Sequence, residues 1–305
     1  MTVSSTPRGS ALRRRKAAAG RMFIAPNLIA VAVFMAFPLL FTLYLSLHQW
    51  DLFSSPKFVG IGNFRRLFTR DPLFWVALRN TVIFTVGTLI PTIVIGLAVA
   101  AALNQKLRAI GIFRSIMFMP LVASTVAMAV VWRLTFSTDY GVLNTALGWI
   151  GIDPVPWLSD PAWAMVSLCL VSVWKSVPFA TIVLLAAMQG IPADVYEAAR
   201  IDGAGAFRRF RSMTVPLIRP ALAFTFVITI INSFQVFDQA YVLTGGKGGP
   251  ETGTYVLGIM LYQNAFSFDD IGYACALAWV IFAILLVLTL LQLRFTRGDA
   301  DGSEG

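Results

Sequence analysis

Across 305 residues the sequence has a single histidine, two cysteines and only 15 acidic side chains. Each scarcity removes a class of chemistry. His48 alone cannot supply the paired imidazoles of a His-based catalytic or metal centre. Cys169 and Cys275 both fall inside long apolar stretches, so they suggest neither a disulfide framework nor a thiolate metal site. No glycine loop of the form GxxxxGK[ST] occurs, so the chain is expected to hold no ATPase of its own. No internal repeat with a period on the order of 20 to 50 residues is visible. Asp and Glu are missing from the apolar stretches except for Asp238 at the end of one. That disfavours an ion-coupled secondary transporter or a membrane-embedded enzyme, both of which would want buried carboxylates; these stay as the alternative classes.

What the sequence has instead is apolar length. It is 57% hydrophobic and 13% charged, with a mean hydropathy of +0.75, more apolar surface than one soluble core could hide. A helix needs about 20 mainly apolar residues to cross the hydrocarbon of a bilayer. Such segments run from Phe23 to Leu47, Thr81 to Leu103, Ile112 to Leu134, Ala162 to Met188, Leu217 to Phe237 and Tyr273 to Leu293. The first follows a basic tail and is too long for a cleaved signal peptide, so an uncleaved helix is expected. Pro38, Pro91, Pro120 and Pro178 lie within spans, where each would kink a helix and free a carbonyl. The expectation is an all-α integral membrane protein with six transmembrane helices.

The net charge of +9 is explained by topology without a nucleic-acid partner. Arg8, Arg13, Arg14, Arg15, Lys16 and Arg21 precede the first span; Lys106, Arg108 and Arg114 lie between the second and third. Arg200, Arg208, Arg209, Arg211 and Arg219 lie between the fourth and fifth, and Arg294 and Arg297 follow the sixth. By parity these share a face, and the positive-inside rule makes it cytoplasmic, placing both termini there. The connections Thr135 to Pro161 and Asp238 to Gly272 carry Lys247 alone among cations and belong outside. One connection disagrees. Asp51 to Asn80 must also be external, yet it carries Lys57, Arg65, Arg66, Arg70 and Arg79. Its alternation of aromatic and basic residues suits a helix at the membrane interface, touching lipid, as well as it suits an ordinary charged loop.

A polar run between the fourth and fifth spans is Ile191 to Pro220, IPADVYEAARIDGAGAFRRFRSMTVPLIRP. Pro192 and the early acids Asp194 and Glu197 predict a short helix start. Gly203 and Gly205 permit a reversal, and Phe207, Phe210 and Met213 give a second short helix one apolar stripe. Helix, turn and helix before Pro216 make a rigid elbow; a basic amphipathic connection lying on anionic lipid is the other reading of the same residues.

Two groups of polar residues sit within spans. Lys175, beside Trp174 and one turn before Pro178, could meet an anionic or hydroxyl-rich solute or could pair with a freed carbonyl. Asn232, Gln235 and Gln239 follow the helical spacing i, i+3, i+7 with Asp238 adjacent. That amide stripe could bind hydroxyl groups, with Trp174 or Tyr273 offering a ring face, or could hold helices together.

The elbow's core, Glu197-Ala198-Ala199 followed by Gly203 and then Met213-Thr214-Val215-Pro216, resembles the signature loop of permease subunits of ATP-binding-cassette importers. Tyr196-Glu-Ala-Ala-Arg-Ile-Asp202-Gly, FVGIGNF at Phe58 to Phe64 and the stretch from Phe237 to Trp279 are similar to the sugar-type branch. Within it they resemble the maltose-system F-type subunit and, most of all, the permeases for glycerol 3-phosphate and glycerophosphodiesters. The resemblance implies the type I importer permease fold and transport by alternating access in a bacterial-type inner membrane. It also implies several partners: a second homologous permease in a heterodimer, two ATP-binding subunits that carry ATP and Mg, and an extracytoplasmic solute-binding protein. This chain would bind no cofactor. Carried over by position, Tyr196, Glu197, Ala198, Ala199, Arg200, Asp202 and Gly203 would couple to an ATPase: Glu197 by polar contact, Ala198 and Ala199 by close approach, Gly203 as the turn. The solute path would draw on Trp174, Lys175, Asn232, Gln235, Asp238, Gln239 and Tyr273. The expected organisation is a basic tail at 1–20, a permease domain at 21–297 with its coupling loop at 190–217, and a disordered tail at 298–305.

Overall fold

The structure, a computed structural model, describes residues 21–105 and 110–301. The basic tail before Arg21, Lys106, Arg108 and residues 302–305 lie outside the described residues. Among the described residues four helices are long and apolar enough to cross a membrane: α1 (Arg21–Ser46), α3 (Pro72–Leu103), α7 (Pro161–Gln189) and the first part of α13 (Ile271–Asp301). The backbone of α13 stays helical through Asp301, past the expected start of the tail at 298.

Two expected spans are broken. The third divides into α4 (Ile110–Val122) and α5 (Thr125–Thr135), which meet at a 100° bend. The fifth is α10 (Arg219–Phe234), joined at 69° to α9 (Ala206–Leu217), which belongs to the elbow. α10 stops short of the expected Phe237 because Gln235 leaves the helical region at φ −95, ψ 12; Phe237, at φ −139, ψ −64, then precedes a short helix, α11 (Asp238–Leu243). In hydrocarbon, irregular backbone of this kind survives only where it is buried in protein or lines a cavity.

The connections are more ordered than their composition suggested. A short hairpin with two residues in each strand pairs β1 (His48–Gln49) with β2 (Lys57–Phe58), and α2 (Gly62–Thr69) follows it. Asn144 pins helix α6 (Val142–Trp149) by bonding Thr138 O, both backbone groups of Val155 and the indole of Trp157. The glycine-rich stretch Thr244 to Thr254 is turns with one 3-10 turn, Pro250–Thr252, and leads into α12 (Leu257–Phe266).

The chain's caps and packing follow from local rules. α3 and α7 both open with Asp-Pro: Asp71 and Asp160 accept from the first backbone amides, and Pro72 and Pro161 need no donor there. Pro91 and Pro178 lie within helices that continue through them, and a π turn at Ala32–Ala36 precedes Pro38. α3 runs along α7 for most of its length. One core holds Phe84, Leu168, Leu257, Met260 and Leu277; a second, at the elbow end, holds Leu103, Leu184, Met188 and Ile218.

Candidate functional site

The elbow begins with α8 (Ala193–Ile201), capped by Pro192, which lies one residue before the helix and not in its first turn. Its C-terminus is closed by Gly203 N bonding Arg200 O at 3.0 Å and Ala204 N bonding Ala199 O at 2.9 Å. This Schellman closure requires a left-handed residue, which Gly203 supplies at φ +75. α9 then turns back, locally widened at Phe210–Thr214. Two ties fix the helices: the Tyr196 and Thr214 hydroxyls lie 3.0 Å apart, and Arg209 donates to Ala204 O at 2.6 Å.

The two alanines of the signature differ. Ala198 is exposed, whereas Ala199 is 1% exposed and packs inside the chain, so only Ala198 is open to approach from outside. Glu197 is exposed and, with Tyr196, Arg200 and Arg209, lines a cleft of about 840 Å³ that reaches Asn104 at the end of α3 and Gln189 at the end of α7. Ile218, between α9 and α10, is buried against Leu103, Leu184 and Met188. The elbow is therefore attached to the ends of α3 and α7 and continuous with α10.

At the far end of α10 a cavity of about 280 Å³ opens. Asn232, Gln235, Asp238 and Gln239 all line it. They are not one helical face: Gln235 is the residue that caps α10, and Gln239 stands on α11. The break at Gln235–Phe237 brings them together in place of the expected i, i+7 spacing. Ser172 donates to Gln239 Oε1, which joins α7 to α11 and leaves the Gln239 amide nitrogen as a donor.

Four further polar side chains complete the wall: Ser176, Ser233, Thr125 at the start of α5, and Thr88. The Thr88 hydroxyl is buried with no hydrogen-bond partner. Sequence patterns did not single out Thr88 or Thr125, because threonine is unremarkable in an apolar helix. The polar Ser-Thr pair after Ala123 was the available signal. None of the residues lining the cavity is cationic. Amides, hydroxyls and one carboxylate suit a ligand that presents hydroxyl groups.

The other expected solute-path residues lie elsewhere. Lys175 points away, donating to Ala123 O at 2.8 Å where the third span breaks. Trp174 meets Trp132 edge to face at 5.7 Å. Tyr273 is fully buried, its hydroxyl donating to Asp71 at 2.6 Å and its ring lying 4.3 Å beneath the Arg66 guanidinium.

Comparison with known proteins places these features in context. Residues 81–298 match the family described as binding-protein-dependent transport system inner membrane component. The chain is 39% identical to the lactose transport system permease protein LacF of Rhizobium radiobacter, over 96% of this chain and 99% of that one. It is 36% identical to the trehalose/maltose transport system permease protein MalF of Thermococcus litoralis, over 96% and 98%. Among solved structures it resembles a chain of a bacterial ABC transporter involved in the import of the acidic polysaccharide alginate, with a TM-score of 0.80 and 25% identity over 95% of this chain and 98% of that one.

Proposed function

The chain belongs to the binding-protein-dependent transport system inner membrane component family, and from that membership we propose that it is one of two permease subunits of a sugar-type ATP-binding-cassette importer. It is a multi-pass membrane permease and not an enzyme; ATP and Mg are bound by partner subunits. A second permease forms the other half of the path, and a solute-binding protein delivers cargo outside. Both termini face the cytoplasm, in keeping with the loop charges.

The observation that carries this reading is a single lever. α10 has the elbow at one end and the polar cavity at the other, and its 16 residues span roughly 24 Å. Closure of the ATPase pair moves the elbow, and α10 carries that movement to Asn232 and Gln235. Nucleotide then favours one membrane conformation over the other only by the difference in its contacts with each.

The cargo we infer is a neutral, hydroxyl-rich glycoside. The similar permeases are named for lactose and for trehalose/maltose, and the cavity offers amides, hydroxyls and the Asp238 carboxylate. Glycerol 3-phosphate or a glycerophosphodiester, the cargo that the closest resemblance implied, would bring its phosphate beside Asp238 while Lys175 is engaged with Ala123 O. The test is ATPase stimulation of the complex reconstituted with its co-encoded partners, across disaccharides, glycerol 3-phosphate and glycerophosphodiesters. Stimulation by a disaccharide is expected; stimulation by the phosphates alone would replace the neutral cargo with an anionic one.

A further inference from the structure

The basic connection that broke the charge rule lies against an open apolar groove. α13 presents Val280, Ala283, Ile284 and Val287 to this groove, at the spacing i, i+3, i+4, i+7 of one helical face. The opposite wall is Phe68 at the end of α2 and Trp75 in the first turns of α3, the Trp75 indole donating to Phe68 O at 3.3 Å. The groove has a volume of about 410 Å³. Ala283 and Val287 are exposed in it, whereas Val280 and Ile284 pack against the core.

Arginines neighbour the groove's wall along the chain: Arg65 precedes Phe68 by one turn on α2, Arg70 follows that helix, and Arg79 is one turn beyond Trp75 on α3; all three are exposed. Arg66 pairs with Asp270, and among the described residues Arg65, Arg70 and Arg79 make no such pair. The geometry points to a binding site for one anionic phospholipid, its acyl chain in the groove and its phosphate held by these arginines. The apolar wall supplies what a chain needs, and guanidinium groups recognise phosphate through forked donors. A neutral headgroup would leave the three cations unmatched. Basic pockets beside transmembrane helices select anionic headgroups by this means. The site lies on α2, α3 and α13, away from the elbow and the polar cavity, and does not depend on the cargo.

The purified full-length chain can be tested by native mass spectrometry with phosphatidylglycerol and phosphatidylcholine of matched acyl chains. Retention of phosphatidylglycerol is expected to exceed that of phosphatidylcholine on the order of tenfold. The exposed pair Arg65→Gln and Arg70→Gln should abolish that preference, and Ala283→Phe, which fills the groove, should reduce retention of both lipids. Equal retention of the two lipids by the unaltered chain would overturn the proposal, as would phosphatidylglycerol retention that neither variant changes. Cross-linking of Ala283→Cys to the second permease in the assembled complex would also overturn it, by assigning the groove to a subunit interface.

Discussion

The Lys175 ammonium donates to the Ala123 carbonyl at 2.8 Å, at the point where the third span turns through 100°. The carbonyl lies between α4 and α5, and Lys175 reaches it from α7, so the cation caps the break that sets Thr125 in the cavity wall. A neutral donor can make the same bond. Lys175→Gln should therefore keep uptake within about twofold, whereas Lys175→Met, which leaves the carbonyl unpaired at a cost of about 1–3 kcal/mol, should lower it on the order of tenfold. Uptake by reconstituted vesicles separates the two; loss with Gln equal to loss with Met would mean that the charge itself is needed.

The two signature alanines should respond oppositely to enlargement. Ala199→Leu inserts bulk into a packed position and should destabilise the chain by about 1–3 kcal/mol. Ala198→Leu and Glu197→Lys alter exposed positions and should leave thermal unfolding unchanged while abolishing ATPase stimulation by the loaded binding protein. Thermal unfolding and stimulated ATPase, measured on the same samples, check both halves.

Gly203 has φ +75, and a Cβ added there would meet nothing within 4 Å. The cost of substitution is then backbone strain alone. Gly203→Val should cost about 1–2 kcal/mol in the left-handed conformation, with Gly203→Asn milder. The variants should rank Gly, Asn, Val in coupling efficiency, measured as solute transported per ATP hydrolysed.

Gly258, near the start of α12, holds the break in the fifth span. A Cβ there would come within 2.3 Å of Val236 O, so even Gly258→Ala must displace the segment between α10 and α11. Uptake should fall on the order of tenfold, consistent with overpacking costs of about 1–3 kcal/mol. The readout is uptake with stimulated ATPase retained; full uptake would show that the break tolerates movement.

Hydrophobic length alone made α1, α3, α7 and α13 legible, because each is a continuous apolar run. The elbow was legible from Pro192, the acids after it and Gly203. The breaks were not. Around Ala123-Ser124 and Gln235–Phe237 the composition stays apolar enough to continue a helix, and the bends depend on Lys175 and Gly258, which approach from distant parts of the chain. The same holds for Asn232, Gln235 and Gln239: their spacing assumes one continuous helix, whereas the helix ends at Phe234 and the break is what brings them to one cavity. The burial of Tyr273 is not legible either, because its partner, Asp71, lies 202 residues away.

The most direct measurement is uptake and ATP hydrolysis, in parallel, by the reconstituted complex carrying Asn232→Ala and Gln235→Ala, with saturating loaded binding protein. Both side chains are exposed to the cavity, so folding should be unaffected. With two neutral hydrogen bonds lost at about 1 kcal/mol each, uptake should fall about 10- to 30-fold while stimulated hydrolysis, driven through the intact elbow, stays near normal. Unchanged uptake would contradict a solute site at the end of α10.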